Sequence, residues 1–395
     1  MSHTVSRRLF LGGAAAAGVA AALPSPALAT TRPGADLIAL RRDLHAHPEG
    51  PGQEERTASV VARRLRAAGL EVTTGVGGHG VVAILRGERP GRTVAYRADM
   101  DAVPPSDQMG GGDAPAHLCG HDLHTTIGVG IATTLARRPV AGTVAFVFQP
   151  AEESLKGAAA MLAAGVLDLI RASEIHALHC GPFPVGDLAV TPGTGLPGQD
   201  RGSVTLATPE AATALAADIN SLSTVARPVT PRDLSRMVAD IQKPDGPLSR
   251  FVVAQARAVG NEVQFSYRCW PASRHPEIRA KIREKARAAV TFPADPFPAM
   301  VCPRPDAEAL EQHLERTAGR SRVRTIRAAL PFSGEDFALF LNRLPGTYSF
   351  LGVRRPHAGI ETSFPHFATF DPDERAITHG VRVMSSWLTR RAAGL

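Results

Sequence analysis

Aromatic residues and lysine are both scarce in this chain. Phe, Trp and Tyr make up 5% of its 395 residues, and only four of its 44 basic residues are lysines (Lys156, Lys243, Lys281, Lys285). A nucleic-acid surface needs clustered cations with interleaved aromatics. No polybasic run occurs, so the formal charge of +7 does not read as a nucleic-acid footprint. The arginine bias, with 37 Gly and 32 Pro, looks instead like the product of a G+C-rich genome. Cysteine is also sparse: four residues (Cys119, Cys180, Cys269, Cys302) make a thin disulfide framework, with one bridge, Cys269 to Cys302, left open. Beyond the first 29 residues no stretch approaches the ~20 apolar residues that span a bilayer, so no stable membrane insertion is expected.

Those first residues carry an address. Ser6-Arg7-Arg8-Leu9-Phe10-Leu11 precedes a Gly/Ala-rich apolar run over 12–23, and Ala27-Leu28-Ala29 offers a small-x-small cleavage pattern. The twin arginine resembles a Tat export signal, which places the mature protein outside the cell or in its envelope. A retained anchor is the alternative, but the run is short and Pro24 and Pro26 break it. Removing Arg7 and Arg8 leaves 44 − 2 = 42 basic against 37 acidic residues.

With 44% hydrophobic residues the remainder can build two cores. Helical spacing of apolar residues predicts helices over 36–47 and 54–68, and strands follow at 71–74, 81–86 and 93–97. An apolar helix at 125–135 and strands at 143–148 and 174–179 continue the alternation, which argues for an α/β layer structure with a largely parallel sheet. Past Gly186 the character changes. Loop-rich 191–202 leads into strand 203–207, helix 209–225, strands 251–256 and 262–268, and helix 274–289: a smaller α+β unit. Five prolines between 293 and 305 mark the return. The last stretch has helices around Leu310 and Phe337, a strand at 347–352 and a closing helix near 376–388. The organisation expected is a catalytic α/β domain at 30–198 and 298–395, interrupted by an inserted α+β lid at 199–297.

The chemistry concentrates in His117-Leu118-Cys119-Gly120-His121-Asp122-Leu123-His124. A thiolate and neutral imidazoles are ligands for Zn²⁺ or a neighbouring transition metal. Arg97-Ala98-Asp99-Met100-Asp101 closes one apolar strand with two carboxylates, and another strand runs into Gln149-Pro150-Ala151-Glu152-Glu153. Strand ends facing a ligand-rich loop are where α/β sheets place their chemistry. Adjacent glutamates point in different directions, so one can ligate while the other accepts a proton. The alternative for Glu152 and Glu153 is an acidic helix N-terminus, and for Asp99 or Asp101 a cap at a strand end.

Taken in order, these motifs resemble the metal-dependent amidohydrolases that include hippurate hydrolases, N-acyl-amino-acid amidohydrolases and auxin-conjugate hydrolases. The matching segments are Leu44-His45-Ala46-His47-Pro48-Glu49, Arg97 to Pro104, Cys119 to His124, Gln149 to Glu153, His179 with Pro182, Gly334-Glu335-Asp336-Phe337, and Gly346 to Gly352. The resemblance implies a zinc-peptidase-like mixed sheet and one or two divalent ions per chain, Zn or Mn first, with Co or Ni as further candidates. It implies metal ligands Cys119, His121, Glu153, His179 and a late histidine, with Glu152 as general base. Asp99, Asp101, His124 and Glu335 would stand behind these or meet the substrate, a small amide. The late histidine fits His366, at the head of His366-Phe367-Ala368-Thr369-Phe370-Asp371-Pro372-Asp373-Glu374; a rival register would put Ser363 at the ligand position.

One departure stands out. The relatives carry a histidine in a G-G-H-x-x-x-P segment after the first lid strand, where it stabilises the developing oxyanion, often in a partner subunit of a homodimer. Here no histidine occurs between His179 and His275. Losing such a contact outright would cost roughly 10²–10³ in rate, so either Arg201, Arg227 or Arg268 substitutes, or the substrate has shifted. An aminopeptidase or carboxypeptidase on the same scaffold, and a binding protein that has lost turnover, are the competing functions. The altered lid leaves the homodimer open.

Overall fold

The computed structural model describes Met1 and residues 33–395, so the export leader expected at 1–29 lies, apart from Met1, outside the described residues. Its centre is an eight-stranded mixed sheet in the order Glu71–Thr74, Val81–Arg86, Ala141–Gln149, Arg89–Asp99, Glu174–Pro184, Gly346–Arg354, Leu188–Val190, Val323–Thr325. The middle of it is parallel, as the strand–helix alternation predicts: Arg89–Asp99 pairs in parallel with both Ala141–Gln149 and Glu174–Pro184, and Glu174–Pro184 pairs in parallel with Gly346–Arg354. The run Val144-Ala145-Phe146-Val147-Phe148 shows why. Val144, Phe146 and Phe148 enter one core, Ala145 and Val147 the other. A strand that is apolar on both faces must be covered on both.

Helices Pro33–His45, Glu55–Ala67, His121–Leu135, Arg304–Ala318 and Arg375–Ala392 contribute to the first core. The helix expected at 125–135 begins earlier, at His121. Gly120 has φ 89°, and a Cβ there would stand 2.6 Å from the Cys180 sulfur, so glycine is required at the turn that opens this helix. The result puts His121 and His124 in the first helical turn.

The second sheet is antiparallel: Val290–Thr291, Gly198–Thr205, Glu262–Trp270, Phe251–Val259. Its first long strand starts at Gly198, inside the stretch expected to be loop. Helices Pro209–Asn220 and His275–Ala286 cover one face, burying Leu215, Ile219, Phe265, Tyr267, Ile278 and Ile282. The helix expected to reach Val225 stops at Asn220, and a second one, Pro231–Asp240, follows under a Thr230/Asp233 capping box. Leu234, Met237 and Ile241 do not pack into the lid. They join Phe251 and Val253 in the second core of the large sheet, docking the lid on the catalytic part.

All four cysteines are free and buried, so the Cys269–Cys302 bridge does not form. Cys269 belongs to the lid core, whereas Cys302 accepts a hydrogen bond from the Tyr348 backbone N–H at 3.0 Å in the large sheet. The two thiols serve different cores. Among the described residues no helix is long and apolar enough to cross a membrane.

The last helix seals the sheet through Trp387, which is 1% exposed, lies against His176 and His313 (ring centroids 5.5 and 5.3 Å), and has the Arg391 guanidinium 5.2 Å above it. Trp387→Ala is expected to destabilise the protein by about 3–5 kcal/mol. Chemical denaturation should show a lower midpoint at unchanged slope; an unchanged midpoint would contradict this packing.

Candidate metal centre

Five parts of the fold meet at one point: the end of Arg89–Asp99, the turn after Ala141–Gln149, the middle of Glu174–Pro184, the loop into helix His121–Leu135, and the segment at His366 before helix Arg375–Ala392. The histidines there have defined tautomers. A backbone carbonyl only accepts, so a ring nitrogen bonded to one must carry the proton. His121 Nδ1 donates to Asp101 O at 2.8 Å, His179 Nδ1 to Cys180 O at 2.8 Å, and His366 Nδ1 to Asp107 O at 3.1 Å. In its neutral form each ring therefore keeps its Nε2 lone pair free.

Those three Nε2 atoms surround Glu153 and Cys119. His121 Nε2 is 3.7 Å from Glu153 Oε1, His366 Nε2 is 3.3 Å from Glu153 Oε2, and His179 Nε2 is 3.5 Å from the Cys119 sulfur. Donor atoms of Cys119, His121 and Glu153 all lie within 4.8 Å of one another. His121 Nε2 and Glu153 Oε1 are buried without a hydrogen-bond partner. Orphaned donors of thiolate, imidazole and carboxylate type are the set that a divalent transition ion satisfies, so the residues fit such an ion.

His124 stands apart from this set. Its Nδ1 donates to Asp99 Oδ1 at 2.6 Å and its Nε2 accepts the Cys180 N–H at 2.8 Å, so no lone pair is left for a metal. Asp101 holds the ligand loop instead, its Oδ2 accepting the Glu153 N–H at 2.9 Å. The rival Ser363 is buried with its hydroxyl on Ile360 O at 2.9 Å. His366 sits at φ 69°, held there by its N–H to Leu118 O (2.8 Å) and its carbonyl to Met109 N–H (2.7 Å). His357 lies in a separate surface cleft beside Arg322 and Arg355.

Glu152 is buried, its Oε2 3.9 Å from His121 Nε2. Burial, then Glu335, Glu153 and Asp336, pushes its carboxyl well above the usual range, with Arg97 opposing. Glu335 does not reach the ligands. Its Oε1 accepts Arg97 Nη2 at 3.0 Å and the Phe337 N–H at 2.9 Å. Sequence reasoning singled out neither Arg97 nor Gln149 nor Asp336. Buried Arg97 binds Asp99 (2.7 Å), Gln149 (2.9 Å), Glu335 (3.0 Å) and Asp336 (3.2 Å), and so joins three motifs into one junction. The signal was present: an arginine inside an apolar strand two residues before a ligand-bearing loop.

The lid faces this centre with Arg268. Odd positions of its strand, Val263, Phe265, Tyr267 and Cys269, fill the lid core, so Arg268 points the other way. Its Nη2 donates to Gln199 Oε1 at 2.9 Å and lies 3.3 Å from where a Cβ on Gly334 would be. Arg201 is exposed on the neighbouring strand.

The profile described as peptidase family M20/M25/M40 matches residues 95–390. The chain is similar to the N-acetylcysteine deacetylase of Bacillus subtilis (strain 168), with 31% identity over 87% of this chain and 93% of that one. It is 29% identical to the N-acetyldiaminopimelate deacetylase of Geobacillus sp. (strain WCH70), over 89% of this chain and 97% of the relative. A Rhodococcus jostii (strain RHA1) relative, named as a glutamate–cysteine ligase, is 33% identical over 90% of this chain, but the chain spans only 46% of that protein. Among solved structures, a dinuclear metal binding peptidase of the M20 family from Bacillus subtilis superposes with TM-score 0.66 at 26% identity, covering 92% of this chain and 99% of that one.

The charge balance around the ligands gives a pH prediction. Burial opposes a charge on His121, but Asp99, Asp101 and Glu153 outweigh it and push its pKa up to about 10; burial, then Glu153, raises the Cys119 thiol well above its ordinary value. Both groups hold protons at neutral pH in the metal-free protein and must shed them to ligate. Apparent Zn²⁺ affinity should therefore rise with pH, by up to about tenfold per unit for each proton released. Calorimetric titrations in buffers of different ionisation enthalpy should show release of at least one proton per ion; none released would contradict this ligand set.

Proposed function

The chain belongs to peptidase family M20/M25/M40, and from that premise we propose that it hydrolyses the amide bond of N-acyl amino acids, with Glu152 as general base. The observation that carries this reading is the division of labour between adjacent glutamates. Glu153 Oε1 and Oε2 face the lone pairs of His121 and His366, while Glu152 stays buried beside them with a raised proton affinity. Cys119, His121, Glu153, His179 and His366 would hold one or two divalent ions, Zn or Mn in this reading. A bound ion would supply Lewis acidity, polarising the amide carbonyl and easing deprotonation of water.

What the chain's own groups add is proton traffic and grip. Glu152 takes the proton of the attacking water and passes it to the leaving nitrogen, so one carboxyl serves both halves of the reaction. Its raised pKa keeps that second transfer available near neutral pH. Arg97 fixes Asp99 and Glu335 behind the site, and Asp99 in turn fixes His124. Arg268 supplies a cation for the substrate's carboxylate where the chain has no histidine between His179 and His275. The names of the deacetylase relatives are consistent with an acyl amino acid as substrate. The Tat-type leader makes export across the cytoplasmic membrane part of the same proposal.

Two variants separate base from ligand. Glu152→Gln should keep full metal content, read by mass spectrometry of the holo protein, while hydrolysis of acetyl-amino acids falls by about 10²–10⁴. Loss of metal in that variant would assign Glu152 as a ligand.

A second pair tests the late histidine. His366→Ala should lower both metal occupancy and the melting temperature of the holo protein, because a ligand bound only by the folded state stabilises it. The melting temperature of the apo protein should change little, and His357→Ala should alter neither quantity. Full occupancy in His366→Ala would remove that residue from the site.

A further inference from the structure

The lid carries a second unneutralised arginine, and it lies against the same loop, at Phe332 to Gly334, as the first. Arg268 has no carboxylate within ion-pair distance among the described residues, and its Nε is buried without a hydrogen-bond partner. On the catalytic side, a Cβ on Gly334 would stand 3.3 Å from its Nη2. Two residues earlier on that loop, Phe332 lies under Arg227, whose guanidinium carbon is 5.3 Å from the ring centroid. Arg227 is exposed and also lacks an ion pair among the described residues.

Two guanidiniums set against Phe332 and Gly334 of one loop repel each other. Burial and then Arg227 lower the Arg268 pKa to about 10, with the Asp107 carboxylate opposing from beyond ion-pair distance, so the pair interacts. Neither arginine is left loose. The segment carrying Arg227 is tied at one end by the Thr224 N–H to Val252 O (2.9 Å) and at the other by the Thr230 cap of helix Pro231–Asp240. Buried Pro228 follows Arg227 directly. A fold that holds two like charges in place with no carboxylate in ion-pair contact with either among the described residues is prepared for an anion from outside.

The order of the groups says which anion. Leu155, two residues past Glu153, touches the same Gly334 position as Arg268, so Arg268 is the inner cation and Arg227, at Phe332, the outer one. A substrate with its amide at the metal ligands and its α-carboxylate at Arg268 extends its side chain toward Arg227. We propose that Arg227 is a specificity-determining residue that receives a second, side-chain carboxylate, so that preferred substrates are N-acyl derivatives of dicarboxylic amino acids. This rests on the amidohydrolase reading above.

N-acetyl-L-glutamate and N-acetyl-L-glutamine test it, since they differ in charge but hardly in shape. The holoenzyme should show at least tenfold higher kcat/KM for acetylglutamate, a preference that shrinks with added salt. In Arg227→Ala the ratio should fall toward one, and in Arg227→Lys an intermediate ratio should survive. A wild-type ratio near one, or a ratio unchanged in Arg227→Ala, overturns the proposal. Equilibrium binding of the two compounds to metal-loaded Glu152→Gln supplies a readout without turnover. A tenfold preference there that Arg227→Ala abolishes supports the proposal even if the wild type hydrolyses neither compound, in which case the amidohydrolase reading alone has failed. Equal binding overturns the proposal whatever the turnover shows.

Discussion

Everything at the centre of this molecule depends on where three imidazole protons are parked. His121, His179 and His366 each give Nδ1–H to a backbone carbonyl, those of Asp101 and Asp107 on one connection and that of Cys180 on a strand. Backbone carbonyls cannot return a proton, so the Nε2 lone pairs have no choice of direction. The fold thereby converts ordinary main-chain geometry into a fixed set of lone pairs of the kind a divalent ion needs. Asp101 performs a double service in this arrangement, its carbonyl orienting His121 and its carboxylate receiving the N–H of Glu153.

Concentrating this many acids near one point requires a counterweight, and Arg97 provides it from behind. A fully buried guanidinium with three carboxylate partners and Gln149 is stable only because all its donors on that side are satisfied. It also ties the C-terminal Glu335-Asp336 pair to strands formed early in the chain, so that the two halves of the catalytic domain share one polar junction. Removing one member would leave charges buried and unpaired, which costs more than the junction contributes when complete.

How much of this was legible depended on whether a feature is local. The parallel core could be read because strands such as Val144 to Phe148 are apolar on both faces, and the ligand loop because Cys119, His121 and the Glu152-Glu153 pair are close in sequence. The early start of the ligand helix could not be read, since it depends on Gly120 passing the Cys180 sulfur, a contact made only in the folded chain. Arg97 gave no sign of its partners because Glu335 and Asp336 come from a distant loop. In the lid, apolar periodicity ran the first helix too far, and the Thr230/Asp233 capping signal for the next helix was passed over. That helix spends its apolar face on the catalytic part rather than on the lid, so the boundary between the two was the hardest feature to see.

The composition of the metal shell decides whether these residues are the donors. X-ray absorption fine structure of the zinc-loaded protein measures it directly. The ligand set described here predicts one sulfur at about 2.3 Å from the metal, with nitrogen and oxygen scatterers at about 2.0–2.2 Å and imidazole outer-shell features. A shell containing only light atoms would contradict it, because Cys119 would then be a bystander and the donors would have to come from elsewhere in the cluster.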